Sequence, residues 1–393
     1  QAGDSITTSE QNTAVGWTSA QALTTGIYNT FVGSRSADAL TIGNNNVAVG
    51  WASLSTSVDG DNNTAIGYKA LNAYEDGDGN GFNTAAAGAQ SQQNATTGEF
   101  NTSLGADSMG VGVTTGDFNI AIGYQAGYNT TSAIRNVLLG PFAGDAFTTG
   151  SDNIAIGYLA LSAEDGNGRN VAIGHTALRV QNAGVEGYNV AIGYTAGNAV
   201  STGISNVLIG AQAGNALTTG SDSVAIGYQA LFTEDAHARN VAVGYQALKN
   251  QDAGADAYNV AMGYQAGLNV STGTVNTLIG SLAGDALTEG NNNVALGYTA
   301  LSAETLGDRN VAIGSGALLV QNNTSDTDVY NVAVGYNAGT SVTTGTQNTI
   351  IGGLAGDALT EGSYNVAIGH NALSNEDGHG RNVAIGRNAL LVQ

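Results

Sequence analysis

Apolar triplets closed by glycine return along this chain at a nearly fixed interval. Ile154-Ala155-Ile156-Gly157 is followed by Val171-Ala172-Ile173-Gly174, by Val190-Ala191-Ile192-Gly193 and, near the end, by Val383-Ala384-Ile385-Gly386. The chain holds 22 such copies, most of them 17 residues apart. Each triplet predicts a short β-strand in which residues one and three share a face and residue two takes the other. A second apolar segment such as Leu159-Ala160-Leu161 predicts a second short strand. Turn-rich text such as Thr218-Thr219-Gly220-Ser221-Asp222 then closes the coil. A repeat this short cannot hold a helix and a strand. The pattern predicts an all-β fold, a repetitive parallel β-solenoid of about 22 coils running continuously over residues 1–393. At about 4.8 Å between stacked strands the coils would make a rod on the order of 100 Å long.

Three rows of the repeat suggest roles. The glycine closing each triplet predicts a backbone angle or close approach that a side chain forbids. The asparagine before the triplet, as at Asn153, Asn170, Asn189, Asn206, Asn240 and Asn259, predicts a structural ladder of side-chain hydrogen bonds. The middle row is small, with large residues at intervals: Phe31, Leu138, Ala155, Ala172, Ala191, Leu208, Ala225, Ala242, Ala261, Leu278, Ala295, Ala312, Ala333 and Ile350. If Val and Ile fill the coil, this row faces outward as an apolar stripe, and self-association is its simplest cover. In the competing arrangement the coil buries both faces and Ala packs under the loops.

A longer rhythm of four coils, about 70 residues, is clearest from 120 to 393. The third coil of each block carries an acidic pair and a later arginine: Glu164-Asp165 with Arg169, Glu234-Asp235 with Arg239, and Glu376-Asp377 with Arg381. The Glu304 loop departs, setting Asp308 beside Arg309. One reading is a series of cation or ligand sites. The other is a solvated loop with an exposed ion pair worth roughly 0–1 kcal/mol.

Composition narrows the function. Charged residues are only 10% of the chain, yet the net charge is −21. An acidic surface argues against nucleic acid and against anionic membranes. Cysteine is absent and no 18-residue apolar run predicts membrane insertion. The sequence begins and ends in mid-repeat, with Ala2-Gly3-Asp4 matching Ala143-Gly144-Asp145, which suggests an excerpt or ends that stack on other molecules. His175, His237, His370 and His379 show no metal spacing, and no Ser/His/Asp group stands out, so no enzyme and no cofactor are expected. Asp76, Asp78 and Asn80 reproduce the first half of a calcium loop, but Ala87 stands where the closing Glu belongs. Tyrosine or tryptophan follows the glycine in half the copies, either stacking on a receptor's sugars or sealing the coil's corner.

Asn63-Thr64-Ala65-Ile66-Gly67-Tyr68-Lys69-Ala70-Leu71 resembles the repeats of bacterial and phage tail-fibre proteins. The Asn-Val-Ala-Ile-Gly core is similar to the YadA-like head of trimeric autotransporter adhesins. The resemblance spans essentially the whole chain and implies a homotrimer of left-handed parallel β-rolls. It implies a non-enzymatic structural or adhesive fibre on a virion or outside a cell, with a glycan or protein receptor. The runner-up is an extracellular filament subunit that stacks end to end. Ice binding by a threonine face ranks last, because Thr-Thr-Gly lies in turn-like text.

Overall fold

The structure is a computed structural model that describes residues 1–75, 84–237 and 239–391. Two compact units divide it, Gln1–Thr195 and Ala196–Gln393. Each is a parallel β-solenoid, and no helix occurs among the described residues. In the first unit Ile154–Ile156 pairs in register with Val171–Ile173, setting Ala155 beside Ala172. In the second, Val224–Ile226 pairs with Val241–Val243 in the same way. β-Branched residues at the first and third places suit so short a strand. Position in the repeat therefore maps directly onto position in the coil.

Each triplet ends at a glycine whose backbone only glycine adopts readily. Gly157 has φ +134°, and a Cβ there would run into the carbonyl oxygen of Gly174 in the coil above. The predicted second strand is absent. In Leu159-Ala160-Leu161 both leucines take the left-handed conformation, φ 52° and 51°, and the segment is a run of turns. Two left-handed residues so close together bend the chain back within one coil, which an extended segment cannot do. Most repeats thus have one strand; the Glu304 loop adds a two-residue strand, Gly307–Asp308, paired in parallel with Thr327–Asp328.

The middle row points inward, opposite to the self-association stripe expected from the sequence. Phe31, Leu138, Ala155, Ala172, Ala191, Leu208, Ala225, Ala242, Ala261, Leu278, Ala295, Ala312, Ala333 and Ile350 are at most 1% exposed. The alternation of a strand fixes only that residue two opposes residues one and three. The narrow coil decides which side is inside. Its lumen already holds a leucine four residues after the glycine, such as Leu161, Leu178, Leu231 or Leu248, so the facing residue must be small.

Where the middle residue is large, the facing residue shrinks. Leu208 is opposed by Gly214, whose added Cβ would lie 2.7 Å from Leu208 Cδ2. Leu138 with Gly144 and Leu278 with Gly284 repeat the exchange at 2.8 Å. This exchange recurs in the second coil of each block, so the four-coil rhythm is a packing rhythm, held to native density by paired substitutions.

Candidate interaction faces and buried carboxylates

Because Ala faces in, the first and third triplet residues face out. Ile122 is 37% exposed in the first unit; Met262 is 46% and Leu296 42% exposed in the second. The third residue of the triplet is apolar in all 22 copies. Aromatic side chains border these rows on both edges, as Tyr188 and Tyr194 do in the first unit and Tyr258 and Tyr264 in the second, all exposed. Each unit therefore presents outward rows of apolar side chains bordered by aromatic rings, the kind of surface that marks interaction sites.

The aromatic row after the glycine lies outside the coil, and over part of its length the rings stack on one another. Tyr228 and Tyr245 are 5.4 Å apart, and Tyr245 and Tyr264 5.3 Å. In the first unit His175 stands between Tyr158 and Tyr194, at 5.2 and 5.3 Å. Ring edges, rather than ring faces, point to solvent within such a stack.

The asparagine ladder is present and buried. Asn153 Oδ1 accepts from the backbone N–H of Asn170 at 2.9 Å, and Asn170 Oδ1 from that of Asn189 at 3.1 Å. In the second unit Asn206 donates to Gly220 O at 2.9 Å and Asn240 Oδ1 accepts from Asn259 N–H. Ser223 keeps the chain of bonds unbroken, accepting from Asn240 N–H at 3.2 Å. These side chains satisfy backbone groups that would otherwise be buried unpaired. Threonine hydroxyls are similarly committed: Thr148 and Thr218 each donate at 2.8 Å to a carbonyl of the next coil.

The third-coil loops are not the solvated acidic pairs of the simpler expectation. Glu164, Glu234, Glu304 and Glu376 are buried, in register with the interior residues Phe147, Leu217, Leu287 and Leu359 one coil earlier. Their arginines reach elsewhere. Arg169 donates to Tyr188 Oη at 2.6 Å, and Arg239 bonds Asp256 at 2.5 Å and Tyr258 Oη at 2.9 Å. Arg309 pairs with Asp328, and Arg381 lies over the Tyr364 ring. The signal was in the sequence: the glutamates stand 17 residues from apolar neighbours in the same row.

The four carboxylates are not equally provided for. Glu304 accepts the N–H groups of Thr305, Leu306, Gly307 and Asn323 on Oε1, at 2.8–3.2 Å. Its Oε2 accepts from Gln321 at 2.8 Å and Asn323 Nδ2 at 3.0 Å. Glu164 Oε1 accepts from Asn167 N–H at 2.9 Å, while its Oε2 has no partner among the described residues. Burial raises its pKa. Among the described residues Glu234 accepts only from His237 N–H at 3.3 Å and Asn240 Nδ2 at 3.4 Å, and burial pushes its pKa up to about 8. Glu376 is the opposite case. The backbone N–H of His379, at 2.7 Å, with its ring Nδ1 at 2.9 Å, holds that carboxyl below the ordinary range.

Glu234, Asp235 and His237 bring one donor atom each within 4.8 Å of the others, and Glu376, Asp377 and His379 do the same. The calcium candidate Asp76, Asp78 and Asn80 lies outside the described residues. Among the described residues no helix is long and apolar enough to cross a membrane. Compared with known proteins, the chain matches no family model, no curated protein and no solved structure.

Proposed function

We propose that this chain is a non-enzymatic fibre segment, the shaft or receptor-engaging part of a trimeric phage tail fibre or surface adhesin. The observation that carries this reading is the outward apolar face. In 22 copies the third triplet residue is never polar, although it is not the residue that fills the coil. Strand propensity favours Val and Ile there, but Leu104, Leu139, Met262 and Leu296 keep the place apolar without being β-branched. A solenoid packed side by side against copies of itself has a use for that constraint, since each buried Val, Ile or Leu contributes about 1.5–3 kcal/mol. The acidic exterior suits a surface in an aqueous medium, where it opposes unspecific clumping. Closed association of three chains buries all three faces around one axis and leaves no apolar surface for further growth. A cell-surface glycan or protein is the fitting receptor class.

Light scattering behind a sizing column tests the reading. The expected mass is about three times the 39.3 kDa chain. Met262→Glu with Leu296→Glu, both on the exposed face, is expected to yield folded monomers. A monomeric wild type at every concentration sinks the proposal.

A further inference from the structure

The Glu234 loop has unmet donor and acceptor capacity at one place. Glu234 is fully buried, and among the described residues neither of its hydrogen bonds is shorter than 3.3 Å. His237 Nδ1 is shielded from solvent and has no hydrogen-bond partner among the described residues. Asp235 is exposed, and its carboxylate lies within 4.8 Å of both. A buried carboxylate beside an unpartnered imidazole nitrogen is costly unless something joins them. In the corresponding Glu304 loop, Asn323 and Gln321 fill that need. Among the described residues, no side chain bonds Glu234 more closely than Asn240 Nδ2 at 3.4 Å.

We propose that Glu234, Asp235 and His237 form a site for a borderline divalent transition cation of the zinc type, with Glu376, Asp377 and His379 as a second copy of it. The inference goes beyond the fibre reading and does not depend on it. The donor set selects the cation class. An imidazole nitrogen with two carboxylates suits zinc, whereas calcium takes six to eight oxygens and magnesium keeps its waters. Three protein ligands leave one tetrahedral position to water. Tetrahedral donors stand about 3.3 Å apart at zinc's usual bond lengths, so the exposed Asp235 and the half-exposed His237 must swing inward by a small side-chain rotation. At the second copy the exposed His379 ring exchanges its bond with Glu376 for the ion. The ligands bind the cation in their deprotonated forms, so binding releases protons.

The same place in the other two loops explains why they are not sites. Asn167 and Gly307 stand where the histidines do, and neither supplies an imidazole. Occupancy should therefore follow the histidine and not the glutamate.

The test is equilibrium dialysis and calorimetry of the full chain, stripped with chelator and titrated with zinc chloride, with calcium chloride as a parallel arm. The expected result is two zinc ions per chain, one for each triad, with proton release that scales with buffer ionisation enthalpy. His237→Ala with His379→Ala should lose both ions while keeping the circular dichroism of the wild type. Asn167→His should add a third ion, a gain that damage to folding cannot imitate. No zinc binding by the wild type at on the order of 100 μM overturns the proposal. So does unchanged stoichiometry in the double histidine variant, or calcium binding in preference to zinc.

Discussion

The Glu304 and Glu234 loops occupy the same place in neighbouring four-coil blocks and bury the same side chain, yet they solve its burial differently. Glu304 is held by six hydrogen bonds from two coils. Among the described residues Glu234 has two long ones. The difference originates one coil later. Asn310 and Asn331 are 21 residues apart, whereas Asn240 and Asn259 are 19 apart. The longer coil brings Asn323 back over the carboxylate. A buried charge is thus tolerated or strained according to the length of the adjacent loop, and the glutamate itself does not reveal which.

Truncation should separate the two loops most sharply. Glu304→Ala leaves Asn323, Gln321 and three backbone N–H groups of its own loop without an acceptor, and should cost about 3–5 kcal/mol in urea unfolding. Glu234→Leu places in the row the residue that Leu217 and Leu287 already supply. In metal-free buffer it should be neutral or stabilising by roughly 1–4 kcal/mol. Equal losses at both sites would break the comparison.

A purely apolar pair of positions serves as the control. Leu208→Ala removes a fully buried side chain opposite Gly214 and should cost about 2–5 kcal/mol. Adding Gly214→Leu, the arrangement already found at Ala225 and Leu231, should restore more than half of the loss. Non-additivity of that size, read from a double-mutant cycle, marks interior volume as the shared quantity.

pH sharpens the comparison further. The folded-state pKa of Glu234 lies above its ordinary 4.5, at about 8, so the folded protein binds that proton more tightly than the unfolded one. The stability this proton confers is fully present below pH 4.5 and is lost as pH rises towards about 8. Glu164 acts in the same direction, because its pKa is also raised. Glu376 acts oppositely: its depressed pKa means stability lost as pH falls below the ordinary carboxylate range. The thermal midpoint of chelator-treated protein should fall between pH 4.5 and 8, and Glu234→Leu should flatten that slope. An unchanged slope in the variant would remove Glu234 as its source.

Least affected should be the exposed aromatic stack. Tyr245→Ala breaks two ring contacts but exposes little that was dry, so about 1 kcal/mol is expected from thermal unfolding. A loss several times larger would mean that the stack is buried in an assembly.

Much of this architecture can be read from the residues. The 17-residue period, the parallel in-register strands, the glycine at each corner and the asparagine ladder all follow from one repeated pattern and appear where it places them. Three readings do not survive. Leu159-Ala160-Leu161 is a run of left-handed turns and not a second strand. Alternation within Ile154-Ala155-Ile156 separates two faces without naming the inner one, so the alanine row was assigned to the outside. Glu234 and its counterparts look like solvated loop residues because an acidic pair in Gly/Asp-rich text usually is one. Their burial follows from register with Leu217 and Leu287, which only the whole row reveals.

Taken alone, the sequence determined the repeat, its strand and its turns, because backbone preferences and the two-residue alternation of a strand are local. The tertiary structure alone decided which face is inside, because that depends on the volume left by Leu161 and its equivalents across the coil. It also decided which buried carboxylate is satisfied. Hydrogen bonds to Glu304 come from residues 17 and 19 positions away, and their reach is set by how the next coil closes.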